Sequence, residues 1–271
     1  MNLVLLLVTI FAPLAPLGIG APAEGKQERQ PDHESAPAPG LDAQADPYLY
    51  EVILLRAAPG RLLELVEAYQ ARIAAFEGAA LGEVHMMRHS QGDQWDLLLL
   101  VPMGDFERFF SGEQSRRRSD ALAEVGGSGP AWAATLDPLV AWRQELFAWG
   151  PPPEVVSERF APARFYHVEM FVALPGKREA LLKQREMENE FLRAIGRPDN
   201  LVFTRAAGAE WDAFTLGFYR DLQHFAEDPS LVPGQEDEAA RAAGFEAANR
   251  IGTYLRTLIA YHHDTLARSV D

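Results

Sequence analysis

The chain has 271 residues, 39 acidic side chains against 25 basic ones for a formal net charge of −14, and no cysteine. The length suits one or two domains, the acidity opposes binding to nucleic-acid phosphates and anionic lipid, and the missing thiols exclude disulfides and cysteine chemistry. Any metal site would have to be built from His, Asp or Glu.

Leu3 to Phe11 is a nearly unbroken apolar run, interrupted by Pro13 and Pro16 and closed by Ala21-Pro22-Ala23. Residues 1–23 read as a signal peptide cleaved after Ala23, which implies an exported protein, periplasmic or secreted. No Lys or Arg precedes the run, so an uncleaved anchor is the rival reading. Residues 24–46 are rich in Pro, Ala, Gln, Asp and Glu without apolar periodicity, the pattern of a disordered linker. No later apolar segment approaches the roughly 18 residues of a membrane helix, so no membrane contact is expected after signal removal.

From residue 47 the chain is written twice. Leu49 to Arg56 is β-rich and ends at Pro59-Gly60; Arg61 to Phe76 is apolar at helical spacing. Glu83 to His89 and Trp95 to Val101 read as strands joined by a turn at Gln91-Gly92-Asp93, and a helical stretch from Phe106 to about Arg143 leads to a strand at Glu145 to Trp149. Residues 151–163 are a Pro-rich connector, expected to act as a stiff spacer. The order then returns: strand Phe165 to Ala173, helix Lys177 to Ala194, strands Leu201 to Ala206 and Trp211 to Tyr219, a helical tract Glu236 to Leu255, and a last strand at Leu258 to His263.

An offset of 116 maps Tyr50 on Tyr166, Pro59-Gly60 on Pro175-Gly176, Gly92 on Gly208, Trp95-Asp96 on Trp211-Asp212, Asp105 on Asp221 and Phe109 on Phe225. So many rare residues in one register mark an internal repeat. The expected fold class is therefore α+β: tandem duplicated ferredoxin-like βαββαβ units, residues 47–150 and 164–271, packed sheet to sheet as an intrachain α/β barrel. A chain that completes its own barrel is expected to be a monomer, with a dimer through helix faces as the alternative.

The run from Tyr50 through Pro59-Gly60-Arg61, a helix, Gly92-x-x-Trp95-Asp96 and Asp105-x-x-x-Phe109, with its second copy, resembles the dimeric α/β barrel superfamily, in particular its NIPSNAP-like and antibiotic-biosynthesis-monooxygenase-like branches. The resemblance covers residues 47–271. It implies the fold and leaves the reaction open, because that superfamily spans cofactor-free monooxygenases, haem-handling enzymes, isomerases and proteins with no known activity. No catalytic motif of those enzymes is intact, so no residue role is transferred.

Strand residues alternate between faces. Tyr50, Val52 and Leu54, with Tyr166, Val168 and Met170, are expected to pack under helices. Glu51, Ile53 and Leu55, with His167, Glu169 and Phe171, are expected to line the space between the sheets. Residues present in both copies, such as Arg88 and Arg205 or the Trp-Asp pairs, suggest scaffold roles, an Arg–Asp pair over a buried Trp. Residues that break the repeat suggest function. His167 and Glu169 are the candidate catalytic pair, a base with an orienting acid. Glu51, His85, His89 and Phe171 are candidate ligand-binding residues. His85 and His89 share a strand face, where a pair could chelate a metal or one could bind haem iron, but neither metal nor cofactor is the favoured expectation. His262-His263-Asp264 reads as a frayed polar end.

Walker, Rossmann, nucleophile-elbow and zinc-hydrolase motifs are missing from the sequence. Two readings remain: an exported non-catalytic binder of a small apolar ligand or a protein partner, which is preferred, and a cofactor-independent monooxygenase or isomerase acting on a small aromatic or lactone-like molecule.

Overall fold

The computed structural model describes residues 47–125 and 130–270; the expected signal peptide and linker, residues 1–46, lie outside them. The first half runs β1 (Tyr48–Ala57), α1 (Leu62–Gly78), β2 (His85–Gln91), β3 (Leu97–Gly104), α2 (Phe106–Phe109), α3 (Gly112–Glu124), α4 (Pro130–Leu136) and β4 (Val140–Gly150). After α5 (Pro153–Phe160) the second half runs β5 (Phe165–Ala173), α6 (Arg178–Ala194), β6 (Leu201–Gly208), β7 (Ala213–Tyr219), α7 (Leu222–Ala226), α8 (Gln235–Ala242), α9 (Ile251–Arg256) and β8 (Ile259–Ser269).

All strand pairs are antiparallel, and their order, β1-β3-β2-β8-β5-β7-β6-β4, closes on itself through β4 and β1. The two halves therefore join edge to edge, through β2–β8 and β4–β6, rather than stacking as separate sheets. The interior is a single apolar cluster to which both halves contribute, among them Tyr50, Val52, Leu98, Leu146, Tyr166, Val168, Phe203 and Phe214. Phe203 and Phe214 stack with ring centroids 4.5 Å apart, and Tyr50 packs edge-on to Phe203. Side chains fill this space, as an eight-stranded barrel requires.

The expected facing of the strands is reversed. Tyr50, Val52 and Leu54 point into the barrel. Ile53 and Leu55 point outward and pack with Leu65, Val66, Tyr69 and Phe76 of α1. In the second half Phe171 packs outward with Leu181 of α6. Both faces of these strands are apolar, so alternation alone could not say which was inside.

The connector is more than a spacer. Pro152 and Pro153 start α5 at the position where a missing N–H costs nothing, and Val156 and Phe160 close one end of the interior cluster. Tyr50 donates its hydroxyl to the Pro151 carbonyl at 2.7 Å. The duplicated Asp residues do a duplicated job: Asp96 accepts from the Ala57 N–H at 2.8 Å and Asp212 from the Ala173 N–H at 2.9 Å, fixing the ends of β1 and β5. Arg205 adds the expected pair with Asp212 at 2.7 Å, above Trp211, which is buried.

Candidate functional site

The outer faces of the two halves differ in kind. Under α1, Ile53 pairs with Leu99, and Tyr69 of α1 lies buried in the same cluster. An offset of 116 puts Glu169, Thr215 and Arg185 at those places. Glu169 sits between Thr215 on β7 and Asp264 on β8 in the strand register, and Gln184 and Arg185 of α6 are 0% and 2% exposed. The second half has therefore exchanged an apolar helix–sheet contact for a polar one.

Burying a guanidinium costs several kcal/mol unless its donors are used. Arg185 uses them: it lies 4.6 Å over the Phe171 ring, donates to Glu188 at 2.5 Å and to Gln184 at 2.7 Å, and reaches Glu169 at 3.4 Å. Thr215 Oγ1 also lies 3.4 Å from the Glu169 carboxylate. Two residues before Glu169 on the same face, His167 Nε2 meets Asp264 Oδ1 at 2.6 Å. The His167 side chain is 18% exposed and that of Asp264 56%, so the pair sits at the edge of the patch with solvent on one side. Phe225 of α7 packs against the imidazole, centroids 5.3 Å apart.

Burial pulls the His167 pKa down, but the bond to Asp264 and the charges of Glu169, Asp264 and Glu188 outweigh it, and the imidazole holds its proton more tightly than usual. Burial pushes the Glu169 carboxyl up, against Arg185 and His167. The hydrogen bond from His167 keeps Asp264 ionised to lower pH than an ordinary Asp.

Asn200 closes the patch on the β6 side. Its Oδ1 is buried with no hydrogen-bond partner among the described residues, and Gly217 makes room for it, since a Cβ there would lie 2.7 Å from that oxygen. Asn200 also lines a cleft of about 430 Å³ between α5 and α6, whose walls include Pro151, Pro152, Val155, Asn189 and the Arg159–Asp199–Arg193 group.

His167, Glu169 and Phe171 share one strand face, as expected, but that face lies beneath α6 rather than inside the barrel. Glu51 occupies the matching place in the first half, among Arg72, Arg118, Arg143 and Glu145, with its pKa raised by burial. His85 and His89 point into the barrel at different levels. His85 stacks on Phe160 of α5 with centroids 4.0 Å apart, and burial lowers its pKa; His89 meets Trp95 edge-on. Four strand residues span about 13 Å, so the two histidines cannot share a metal ion. Arg185, Glu188 and Thr215 are missing from the sequence reading. Asp264, which the sequence reads as part of a frayed polar end, lies inside β8, which runs to Ser269. The repeat carried the signal for Arg185 and Thr215, because each replaces an apolar residue of the first copy.

No protein-family model matches the sequence, and comparison with curated proteins finds no match. Among solved structures, the chain is similar to an anthrone oxidase-like protein, at 13% identity and a TM-score of 0.54 over 86% of this chain and 95% of that one. It is also similar to a proposed monooxygenase from Fusobacterium nucleatum, at 10% identity and a TM-score of 0.50 over 84% of this chain and 94% of the other. Identities this low speak for the fold alone, and nothing in them singles out the NIPSNAP-like branch. The chain shares with these two structures a ferredoxin-like α/β fold.

Proposed function

We propose that this protein is a small-molecule enzyme of the cofactor-independent oxidase or monooxygenase kind, working by proton transfer on a small aromatic substrate at the α6 face of the second half. The observation that carries the reading is the 2.6 Å contact between His167 and Asp264, at the solvent edge of a polar patch where Glu169, Thr215 and Arg185 stand at the places of Ile53, Leu99 and Tyr69 in the first half. Neutral imidazole removes a proton from an acidic phenol or activated ring carbon; Asp264 orients the ring and stabilises the imidazolium that results. Phe225 packs on the His167 ring, and Glu169, paired with Arg185, places its charge nearby. The resulting electron-rich anion is the species that dioxygen would oxidise.

The names of the two fold neighbours agree with this class and are too remote to fix a substrate. The tandem arrangement is read as a gene-level duplication, in which the second copy kept or acquired the site. Export with removal of residues 1–23 and a monomeric state belong to the same proposal.

The test is oxygen uptake by the purified mature chain against a panel of phenols, anthrones and quinols. His167→Ala should lower turnover by about 10²–10⁴-fold, with Asp264→Asn lowering it less. Turnover that survives both substitutions would remove the base from the mechanism.

A second reading, a non-catalytic binder of a small apolar ligand or a partner, has the 430 Å³ cleft in its favour, since His167 is not part of that lining. It requires ligand affinity that is the same in wild type and His167→Ala.

A further inference from the structure

His167, Glu169 and Asp264 each offer a donor atom, and the three donors lie within 4.8 Å of one another. Strand pairing explains the convergence. Glu169 is the direct cross-strand partner of Asp264, and His167 is two residues away on the same face. Donors mounted on a hydrogen-bonded ladder hold their positions better than donors on loops.

Glu169 supplies an independent pointer. It is only 9% exposed, yet its nearest donors, Arg185 and Thr215, are at 3.4 Å. A charge-assisted hydrogen bond to a carboxylate is about 2.7–2.9 Å. Arg185 is drawn instead to Glu188 and Gln184, at 2.5 and 2.7 Å. A buried carboxylate is thus short of close positive charge while its neighbours His167 and Asp264 are within coordinating range. The charged groups that meet here are Arg185 and Glu188 from α6, His167 and Glu169 from β5, and Asp264 from β8. With His167 neutral, three carboxylates face one guanidinium.

We propose that these three residues form a divalent-cation site, in which the ion takes the place of the proton between His167 and Asp264 and draws in the Glu169 carboxylate. One imidazole nitrogen with two carboxylate oxygens is a mixed donor set suited to Zn²⁺ or Mn²⁺. The half-exposed side of Asp264 leaves room for solvent to complete the coordination. The site stands whether or not the pair acts as a base; because Asp264 holds Nε2, the basic nitrogen of that reaction is Nδ1, and an ion on Nε2 would replace the Asp264 bond and make Nδ1 a weaker base, so the cation would inhibit the proton-transfer reaction.

The experiment is calorimetric titration of the chelator-treated mature chain with Zn²⁺ and with Mn²⁺, with Mn²⁺ electron paramagnetic resonance as a second readout. Wild type should bind one ion per chain. His167→Ala and Asp264→Asn, both at the edge of the patch, should each bind at least about tenfold more weakly. Glu169→Gln should behave likewise, its fold checked by circular dichroism, and Glu186→Gln, outside the patch, should match wild type. Added Zn²⁺ should raise the melting temperature of wild type by more than that of His167→Ala at the same ion concentration. No stoichiometric binding at millimolar ion, or equal binding by wild type, His167→Ala and Asp264→Asn, overturns the site. Such a result leaves the oxygen-uptake test of the base untouched, so the two ideas fail separately.

Discussion

Glu51 occupies in the first half the place that His167 holds in the second. It lies under α1 with Arg72, Arg118 and Arg143 in its neighbourhood, and burial nevertheless raises its pKa. A carboxyl whose folded-state pKa is raised costs stability when ionised. In acid both folded and unfolded chains carry it protonated, and the cost vanishes. As pH rises through the ordinary Glu range the unfolded chain ionises first, and the penalty on the folded state grows until pH passes the raised value. Glu51→Gln should therefore raise the melting temperature by a few degrees at neutral pH and by nothing at the acid end, measured by thermal melts across that range. An equal gain at all pH values would mean that packing, not charge, sets the cost. The identity of the interesting side chains was readable in the sequence, because His167 and Glu169 depart from Glu51 and Ile53 of the repeat. Their environment was not. Inward and outward faces of β1 and β5 are both apolar at most positions, so the strand pattern could not say which face met a helix.

The elements themselves were largely legible, and the places where they were misjudged are the seams. Pro-Gly turns, the two hairpins and the helix after each first strand stand where local chemistry puts them. β4 starts at Val140, well before the expected Glu145, where it pairs back with the end of β1, and β8 runs to Ser269 because its outer end pairs with β2 of the other half, as the later part of β4 does with β6. That pairing is non-local and leaves no local signal. Gly92 and Gly208 do mark it. With φ of +120° and +97°, they let each hairpin lie against the opposite half. A Cβ on Gly92 would fall 2.3 Å from the Asp264 carbonyl oxygen, and one on Gly208 2.8 Å from the Glu145 carbonyl oxygen. Gly92→Ala and Gly208→Ala should each cost about 2–4 kcal/mol, combining left-handed strain with backbone collision. Gly60 has φ of +78° but nothing within 4 Å of its added Cβ, so Gly60→Ala should cost only about 1–2 kcal/mol. Urea unfolding of the three variants separates the two effects. Equal losses at Gly60 and Gly92 would deny the seam its role. Gly92→Ala should also disturb the His167–Asp264 pair, because the collision falls on the backbone of Asp264.

At the scale of the molecule, the repeat was the strongest feature of the sequence, and what it could not reveal was how the copies meet. Each half alone is a four-stranded sheet, in the order β4-β1-β3-β2 or its counterpart, with helices on one face. The other face is the shared interior, to which the first half contributes Tyr50, Val52, Leu54, Leu98, Leu100 and Leu146. Cutting the chain at the connector exposes that face together with the unpaired edges of β2 and β4. Both are strong drives to association: apolar area seeks cover, and open strand edges seek a partner. Residues 47–150 expressed alone should therefore not stay monomeric. The geometry offers a closed solution, because β2 of one copy can take the place of β6 against β4 of another, and two copies then rebuild an eight-stranded ring. Light scattering with size-exclusion chromatography should find dimer or larger species at micromolar concentration, and residues 47–271 in one chain should be monomeric under the same conditions. A monomeric, folded fragment would mean that the interior face is covered some other way. That outcome would remove the reason offered here for why the two halves are held in one chain.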